Sequence, residues 1–352
     1  MTFFLDFETS FVPKTCFVTT GHIIDARKAT PGWENTHYNS TIYGGFIPAH
    51  SVDGPPGKLQ PHPMQRSRVL EEVRPISAVP VVANGSTSVT YLFTLPYEIA
   101  GFCTLLLPRD APVGLRVRFR HGEAIDTATG RVVDSPCVLN PPHGSGCEHS
   151  SYVARGDALG MGTHEKMWRR LAISGSADGA DDDAREAFTP AFQYTGFKFI
   201  EVSSSLGEVA YAGPDLGMSS PNISSLVCHR IGVGFDWIGD VAVSATVSQS
   251  QPFGGTINHS TQATTAAQRF NRVVAATRAT AIANYVFDLP TDCPTREKRG
   301  WTGDAAATHR TLASFFDMRA AWTKWTDDMI YTQSLLQPAG TVPEMVMMVS
   351  RA

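Results

Sequence analysis

Between Thr291 and Asp304 the chain reads TDCPTREKRGWTGD. Asp292, Glu297 and Asp304 bring carboxylates, Arg296 a guanidinium and Trp301 an indole into one short, turn-rich stretch. These residue types suit a sugar. Hydrolysis of a glycosidic bond needs one carboxylic acid to protonate the leaving oxygen and a second carboxylate to activate water or attack. A sugar pocket also uses Asp to accept from paired hydroxyls, and a Trp face for the apolar side of the ring. A Glu partly desolvated beside other carboxylates has its pKa raised and stays protonated near neutral pH. The plainer reading of the same residues is structural. Asp304 would cap the free N–H groups of the next helix, Lys298 and Arg299 would be surface charges, and Glu297 would pair with one of them.

The elements around the stretch follow from periodicity. Pro290 and Pro294 disfavour helix, so residues 289–303 form an inter-helix loop. Before it, Phe270, Val273, Val274, Thr277 and Ala281 recur at helical spacing, with Arg269, Arg272 and Arg278 between them. A second helix starts near Asp304 and runs through Leu312, Phe315 and Phe316. Trp322, Trp325 and Met329 continue it or follow a bend, and Pro338–Gly340 ends the run. These aromatics are expected in a core. Upstream of about residue 255 the pattern is β. Leu115, Val117 and Phe119 alternate with Arg116, Arg118 and Arg120, as a half-buried strand requires, and the Arg stripe reads as a solvated sheet face. Phe192 to Val202 is similar, with Gly196 at a bulge or close approach. Ser88 to Leu95 and Val241 to Val247 also read as strands. Strands first and helices after them predict an α+β chain with separate layers or domains.

Bulk properties exclude several classes. A chain of 352 residues accommodates two or three domains, and 42% hydrophobic content supports a packed core. A net charge of −4 gives no basic field for nucleic acid and no membrane patch. No apolar run approaches the roughly 18 residues that span a bilayer. The N-terminus carries Asp6 and Glu8 where a signal peptide would carry Lys or Arg, so a cytoplasmic location is expected. The six cysteines make no CxxC pair; reduced thiols and no zinc site are expected. His143, His149 and His164 show no ligand spacing, and no glycine loop for a nucleotide occurs, so neither metal nor cofactor is expected. The acidic run Ala177 to Glu186 does not fit a calcium loop and reads as solvated.

DCPTREKRGWTGD resembles the signature DCPxRExxGWxGD of the bacterial α-L-rhamnosidases, glycoside hydrolase family 78, and matches it at every fixed position. Other segments are similar to the family too. TLPYEIAGFC (Thr94 to Cys103) resembles DFGQNIAGW, RHGEAID (Arg120 to Asp126) resembles RHAEVLD, and Phe192 to Val202 resembles FTYHGFRYVEV. GTVPEM, ending at Met345, resembles the turn GSVPDVV. The resemblance covers roughly residues 75–345.

It implies a β-sandwich region followed by an (α/α)6 barrel, and inverting hydrolysis of terminal α-L-rhamnose without a metal. By position, Glu297 is the implied general acid. Asp292, Arg296 and Trp301 would line the rhamnose pocket, and Asp304 would bind or orient sugar or water. The implied partner is a rhamnose-containing glycoside or oligosaccharide, with no nucleic acid and no membrane. The corresponding division is an amino-terminal β region (1–74), a β-sandwich (75–230), a linker or β region (231–261) and the start of the barrel (262–352). A twelve-helix barrel needs on the order of 300 residues, and no segment here matches the family's downstream catalytic base; Glu344 lies on the GTVPEM turn. The chain thus resembles an amino-terminal fragment, expected to hydrolyse weakly or not at all alone and to expose the apolar faces at Phe315/Phe316 and Trp322/Trp325. The alternatives are a non-catalytic carbohydrate-binding β-sandwich protein, which would bind rhamnosides without turnover, and a product without a ligand.

Overall fold

The computed structural model describes residues 23–28, 50–51, 61–81, 90–107, 111–133, 149–156, 186–190, 193–206, 209–210, 225–243, 266–286, 288–295, 298–335 and 340–346. The chain groups into two units. One comprises Met1–Pro56, Glu71–Arg230 and Thr295–Glu297; the other comprises Gly57–Leu70, Ile231–Pro294 and Lys298–Ala352.

Alternating apolar residues build one large sheet. Its strands are β1 (Ile23–Asp25), β2 (Ser67–Val73), β3 (Ser77–Val81), β4 (Thr90–Leu106), β5 (Leu115–Gly122), β6 (His149–Val153), β7 (Ala187–Phe188), β8 (Thr195–Leu206), β9 (Val209–Ala210) and β10 (Leu226–Val233). The order is β1-β6-β5-β8-β4-β10-β2, with β3 and β7 also on β4 and β9 on β8. β4 explains its curl. Thr94 pairs with Phe199 and Ile99 with Phe197, so Leu95 to Glu98 stand opposite Lys198 alone. A bulge of this kind bends a strand and sharpens its twist, and Pro96 has no N–H to give to a ladder. Before the bulge β4 lies between β3 and β8; after it, Gly101 to Leu105 pair with β10. The β part is therefore one curled sheet among the described residues. Phe93, Leu95, Ile99, Leu115, Val117, Phe119, Phe188 and Phe197 fill its core.

On β5 the predicted alternation holds: Leu115, Val117 and Phe119 are buried, and Arg116 and Arg118 are exposed. Arg120 departs from the solvated stripe. It pairs at 3.4 Å with Glu201, a buried carboxylate that also accepts from Arg131 Nε at 2.9 Å, Arg131 Nη2 at 2.7 Å and the Val132 N–H at 2.5 Å. Burial works to raise the Glu201 carboxyl. The Arg131 hydrogen bonds, the Val132 N–H and the charges of Arg131 and Arg120 outweigh it and hold the group below its ordinary value.

Two expectations change here. Cys103 and Cys228 are register partners on β4 and β10 and form a disulfide, so these thiols are not reduced. Close approach at this seam is built into the sequence. A Cβ on Gly101 would lie 1.9 Å from the His229 carbonyl oxygen. Residues 241–243, predicted as the start of a strand, pair with none; Asn271 instead takes both backbone groups of Val243, at 2.9 and 3.0 Å.

The helices are α1 (Ala266–Ala283), α2 (Thr302–Phe315) and α3 (Arg319–Leu335). Their common core gathers Val233, Phe235, Val274, Tyr285, Leu312, Phe315, Phe316, Met318 and Ala321. α1 buries a narrower stripe than its periodicity predicts: Val274 and Arg278 are buried, while Phe270 and Val273 are exposed. Arg278 takes a core position because its guanidinium lies 4.8 Å from the Trp237 ring and 5.4 Å from that of Phe315, with Asp240 at 2.6 Å. Phe316 breaks the run with extended backbone, and Asp317 Oδ1 accepts from the Arg319 N–H at 3.2 Å to start α3. Phe315, Phe316 and Trp325 are buried and Trp322 is half-buried, contrary to the exposed faces expected of them: Phe315, Phe316 and Trp322 pack with Val233 and Phe235, and Trp325 packs with Leu289, Ala305 and Val346. Trp237, Ile238, Ile330, Leu335 and Val342 are exposed in their place. No helix among the described residues is long and apolar enough to cross a membrane.

Candidate active site

The signature stretch is held between two short β-ladders. β11 (Tyr285–Val286) pairs with β12 (Leu289–Pro290), and β13 (Gly300–Trp301) pairs with β14 (Met345–Val346). The first hairpin turns at Asp288, which has a φ of 71° and places Oδ2 2.6 Å from His62 Nε2. Asp292 closes the neck of the loop that follows. Its N–H donates to the Arg299 carbonyl at 3.3 Å, its Oδ1 accepts from the Arg299 N–H at 3.1 Å, and its Oδ2 accepts from Cys293 Sγ at 3.2 Å. A carboxylate that accepts from a backbone N–H fixes a turn as firmly as a ladder bond does.

The far side of the loop rests on aromatic packing. Leu289, Ala305, Trp325 and Val346 form a small core with Trp322 and Met329 against it. Gly300 lies directly on Trp325: an added Cβ would meet two atoms of the indole at 2.9 Å. The GTVPEM turn supplies the remaining support. The Thr302 N–H donates to the Glu344 carbonyl at 3.0 Å, and the Thr302 hydroxyl lies 2.9 Å from that oxygen and 3.1 Å from the Pro343 carbonyl. Thr302 opens α2, so this turn fixes where the helix begins.

Of the candidate residues, Asp292 closes the neck of the loop on Arg299, Trp301 lies on β13, and Asp304 lies in the first turn of α2. Arg296 and Glu297 lie outside the described residues. Trp301 is half-buried and precedes α2, with no side-chain cap. Asp304 is therefore not the helix cap that the structural reading assigned to it. It sits exposed in the first turn, where the helix dipole favours negative charge. Lys298 is not a surface charge either: it is buried, with a φ of 53°. The Glu344 side chain is exposed.

Sequence reasoning missed three residues. Thr295, inside the signature, is 3% exposed and donates its hydroxyl hydrogen bond to Glu123 Oε1. Glu123 follows β5, and Glu98 ends the β4 bulge. Burial, then the charge of Glu123 and the hydrogen bond to it, raise the Glu98 carboxyl, against the opposing charge of Lys198. The available signal was that Glu98 and Glu123 stand in TLPYEIAGFC and RHGEAID, two segments with family resemblance. Among the described residues no cluster of three or more His, Cys, Asp or Glu is arranged to hold a metal.

Residues 258–350 match the family model of the bacterial α-L-rhamnosidase six-hairpin glycosidase domain. The fold is similar to the α-L-rhamnosidase from Dictyoglumus thermophilum, with a TM-score of 0.64 and 18% identity, over 94% of this chain and 28% of that one. It is similar to the enzyme from Aspergillus terreus, with a TM-score of 0.63 and 18% identity, over 93% of this chain and 29% of that one. It is also similar to the Streptomyces avermitilis α-L-rhamnosidase solved with L-rhamnose, with a TM-score of 0.60 and 18% identity, over 93% and 24%. The chain thus spans between about a quarter and three tenths of the length of these proteins. A search of curated protein sequences gives no match. In sequence over residues 258–350, and in fold over most of its length, the chain resembles the bacterial-type α-L-rhamnosidases of glycoside hydrolase family 78.

Proposed function

We propose that the chain carries the acid-bearing wall of a rhamnose pocket used in inverting hydrolysis of terminal α-L-rhamnose from rhamnosides. Glu297 is the general acid, Asp292, Arg296 and Trp301 line the pocket, and Asp304 orients sugar or water. The observation that carries this reading is the complete signature within a matched glycosidase domain. The backbone bond that Asp292 accepts from Arg299 and the packing of Gly300 on Trp325 beneath the loop support this reading. An inverting site also needs a second carboxylate roughly 6.5–9.5 Å from the acid, across the sugar. No segment of this sequence resembles the one that supplies it in the family. The chain alone is therefore expected to bind rhamnose and to turn over aryl rhamnosides weakly or not at all.

The test is nitrophenol release from an aryl α-L-rhamnoside, with calorimetric rhamnose binding, for the wild-type chain, Glu297→Gln and Trp301→Ala. Binding kept in Glu297→Gln and weakened about tenfold or more in Trp301→Ala supports the pocket. Turnover that disappears in Glu297→Gln supports the acid role and requires a base from within the chain or a partner subunit. Binding unchanged by either substitution favours the non-catalytic carbohydrate-binding reading. Neither binding nor turnover by a folded chain overturns the proposal.

A further inference from the structure

A histidine from far upstream grips the hairpin that leads into the signature loop. His62 lies in the run Pro61–Met64, 226 positions before Asp288 and in the same unit of the chain. That run is itself anchored. Its two prolines restrict the backbone, and the Met64 side chain is buried in the core that also holds Tyr285 of β11. The imidazole joins the two sides. Its Nδ1 lies 2.6 Å from the Met64 carbonyl oxygen, and its Nε2 lies 2.6 Å from Asp288 Oδ2. A carbonyl only accepts, so the first contact needs a hydrogen on Nδ1. The second needs a hydrogen between Nε2 and the carboxylate. A neutral ring carries one hydrogen; only the imidazolium donates from both nitrogens. Both side chains are largely shielded from water, at 22% and 27% exposure, so the contact is not a screened surface pair.

We propose that His62 is a positioning residue: its imidazolium fixes Asp288, and so the hairpin from which Asp292 enters the candidate pocket. The role of Asp292 rests on the rhamnoside reading above; the hold on Asp288 does not. Asp288 needs a hold because its φ of 71° lies in the left-handed region, which disfavours a residue with a Cβ. From Asp288 the path to Asp292 is short and stiff. Leu289 and Pro290 pair with Val286 and Tyr285, and the Thr291 N–H and hydroxyl both donate to the Asn284 carbonyl, at 2.7 and 3.0 Å. A shift at the turn is thus carried on to Asp292. The other groups near the pair are the buried Tyr285 hydroxyl and Asp328 of α3, whose charge also reaches that hydroxyl and which Lys324 pairs at 2.5 Å. The hold is complete while the ring keeps both hydrogens, and it weakens as pH rises and the ring loses one.

Amide hydrogen exchange on the 352-residue chain reads the hold at the Thr291 and Asp292 amides, as protection factors from weakly acidic to mildly alkaline pH. Wild-type protection is expected to fall about fivefold or more across that range, with β5 and β8 unchanged. His62→Phe, which keeps a ring but has no donor, should lose that protection at the acidic end and show no pH response. Asp288→Asn keeps an acceptor and tolerates the left-handed turn, and should retain most of the protection. Asp288→Gly keeps the turn without an acceptor, and should not. Equal protection in His62→Phe and wild type overturns the proposal. So does a wild-type profile flat with pH, or an Asp288→Gly chain as protected as wild type; these two decide the matter even where His62→Phe fails to fold. Rhamnose binding on the same samples separates the two readings. Hairpin protection that responds as described, without rhamnose binding by the wild type, sinks the sugar reading alone. Rhamnose binding with an unresponsive hairpin sinks the hold alone. Rhamnose binding unchanged in His62→Phe despite lost protection overturns the positioning role.

Discussion

His229 stands fully buried on β10, with Nε2 3.1 Å from the Thr104 hydroxyl, and burial lowers its imidazole from 6.5 to about 4. Between those values the unfolded chain binds a proton that the folded chain refuses. Stability is therefore complete above the unfolded value and falls as pH drops toward the folded one. The loss is on the order of 3 kcal/mol, and denaturant unfolding across that range should show it. His229→Gln should remove most of the slope. Glu201 contributes separately and lower. Its carboxyl is held below its ordinary value, so its stabilisation is lost only as pH falls through that depressed folded value. Neither residue was legible as a titrating group in the sequence. His229 reads there as one polar residue in LVCHRIGV, and Arg131, the main partner of Glu201, lies 70 positions from it.

At the scale of the element, the two glycines of GWTG answer to different constraints. Gly300 lies on the Trp325 indole, 2.9 Å from where its Cβ would be, while Gly303 has nothing within 4 Å. Gly300→Ala should destabilise the chain by about 1–3 kcal/mol, since ring and ladder must both shift. Gly303→Ala, in the exposed first turn of α2, should be neutral or stabilising by up to about 1 kcal/mol. Thermal unfolding of the two variants side by side checks the contrast, and the reverse order would show that Trp325 is not the support of β13. Sequence pattern predicted the three helical runs and placed the break before Trp322 as one of two options. It did not predict that Arg278 would hold a core position, because helical periodicity counts an Arg as polar and carries no information about the aromatic rings it meets.

The larger of the two units is stapled at Cys103–Cys228, 125 residues apart. Replacing both by Ser releases a long loop in the unfolded chain and should cost about 3–5 kcal/mol. Denaturant unfolding of the double variant and of the reduced wild type should agree. A wild-type midpoint that reductant does not move would rule the staple out. Apolar side chains exposed along residues 237–243 and at Phe270 and Val273 mark the other whole-molecule feature, one set by packing and not by hydropathy.

The sequence by itself determined most of the elements and the residue types of the candidate site. Period-two alternation, helical spacing and the residues of DCPTREKRGWTGD depend on neighbours a few positions apart, so β5, β8, the three helices and the carboxylate-rich loop between the first two of those helices were readable from the chain. Tertiary structure decided which distant residues those elements serve. Cys103 met Cys228 through strand register, and Thr295 reached Glu123 across 172 positions. The physical reason is the bulge in β4 and the exit of β5. Each changes a chain direction by one local irregularity, and no periodicity in the sequence records where the side chains beyond it will arrive.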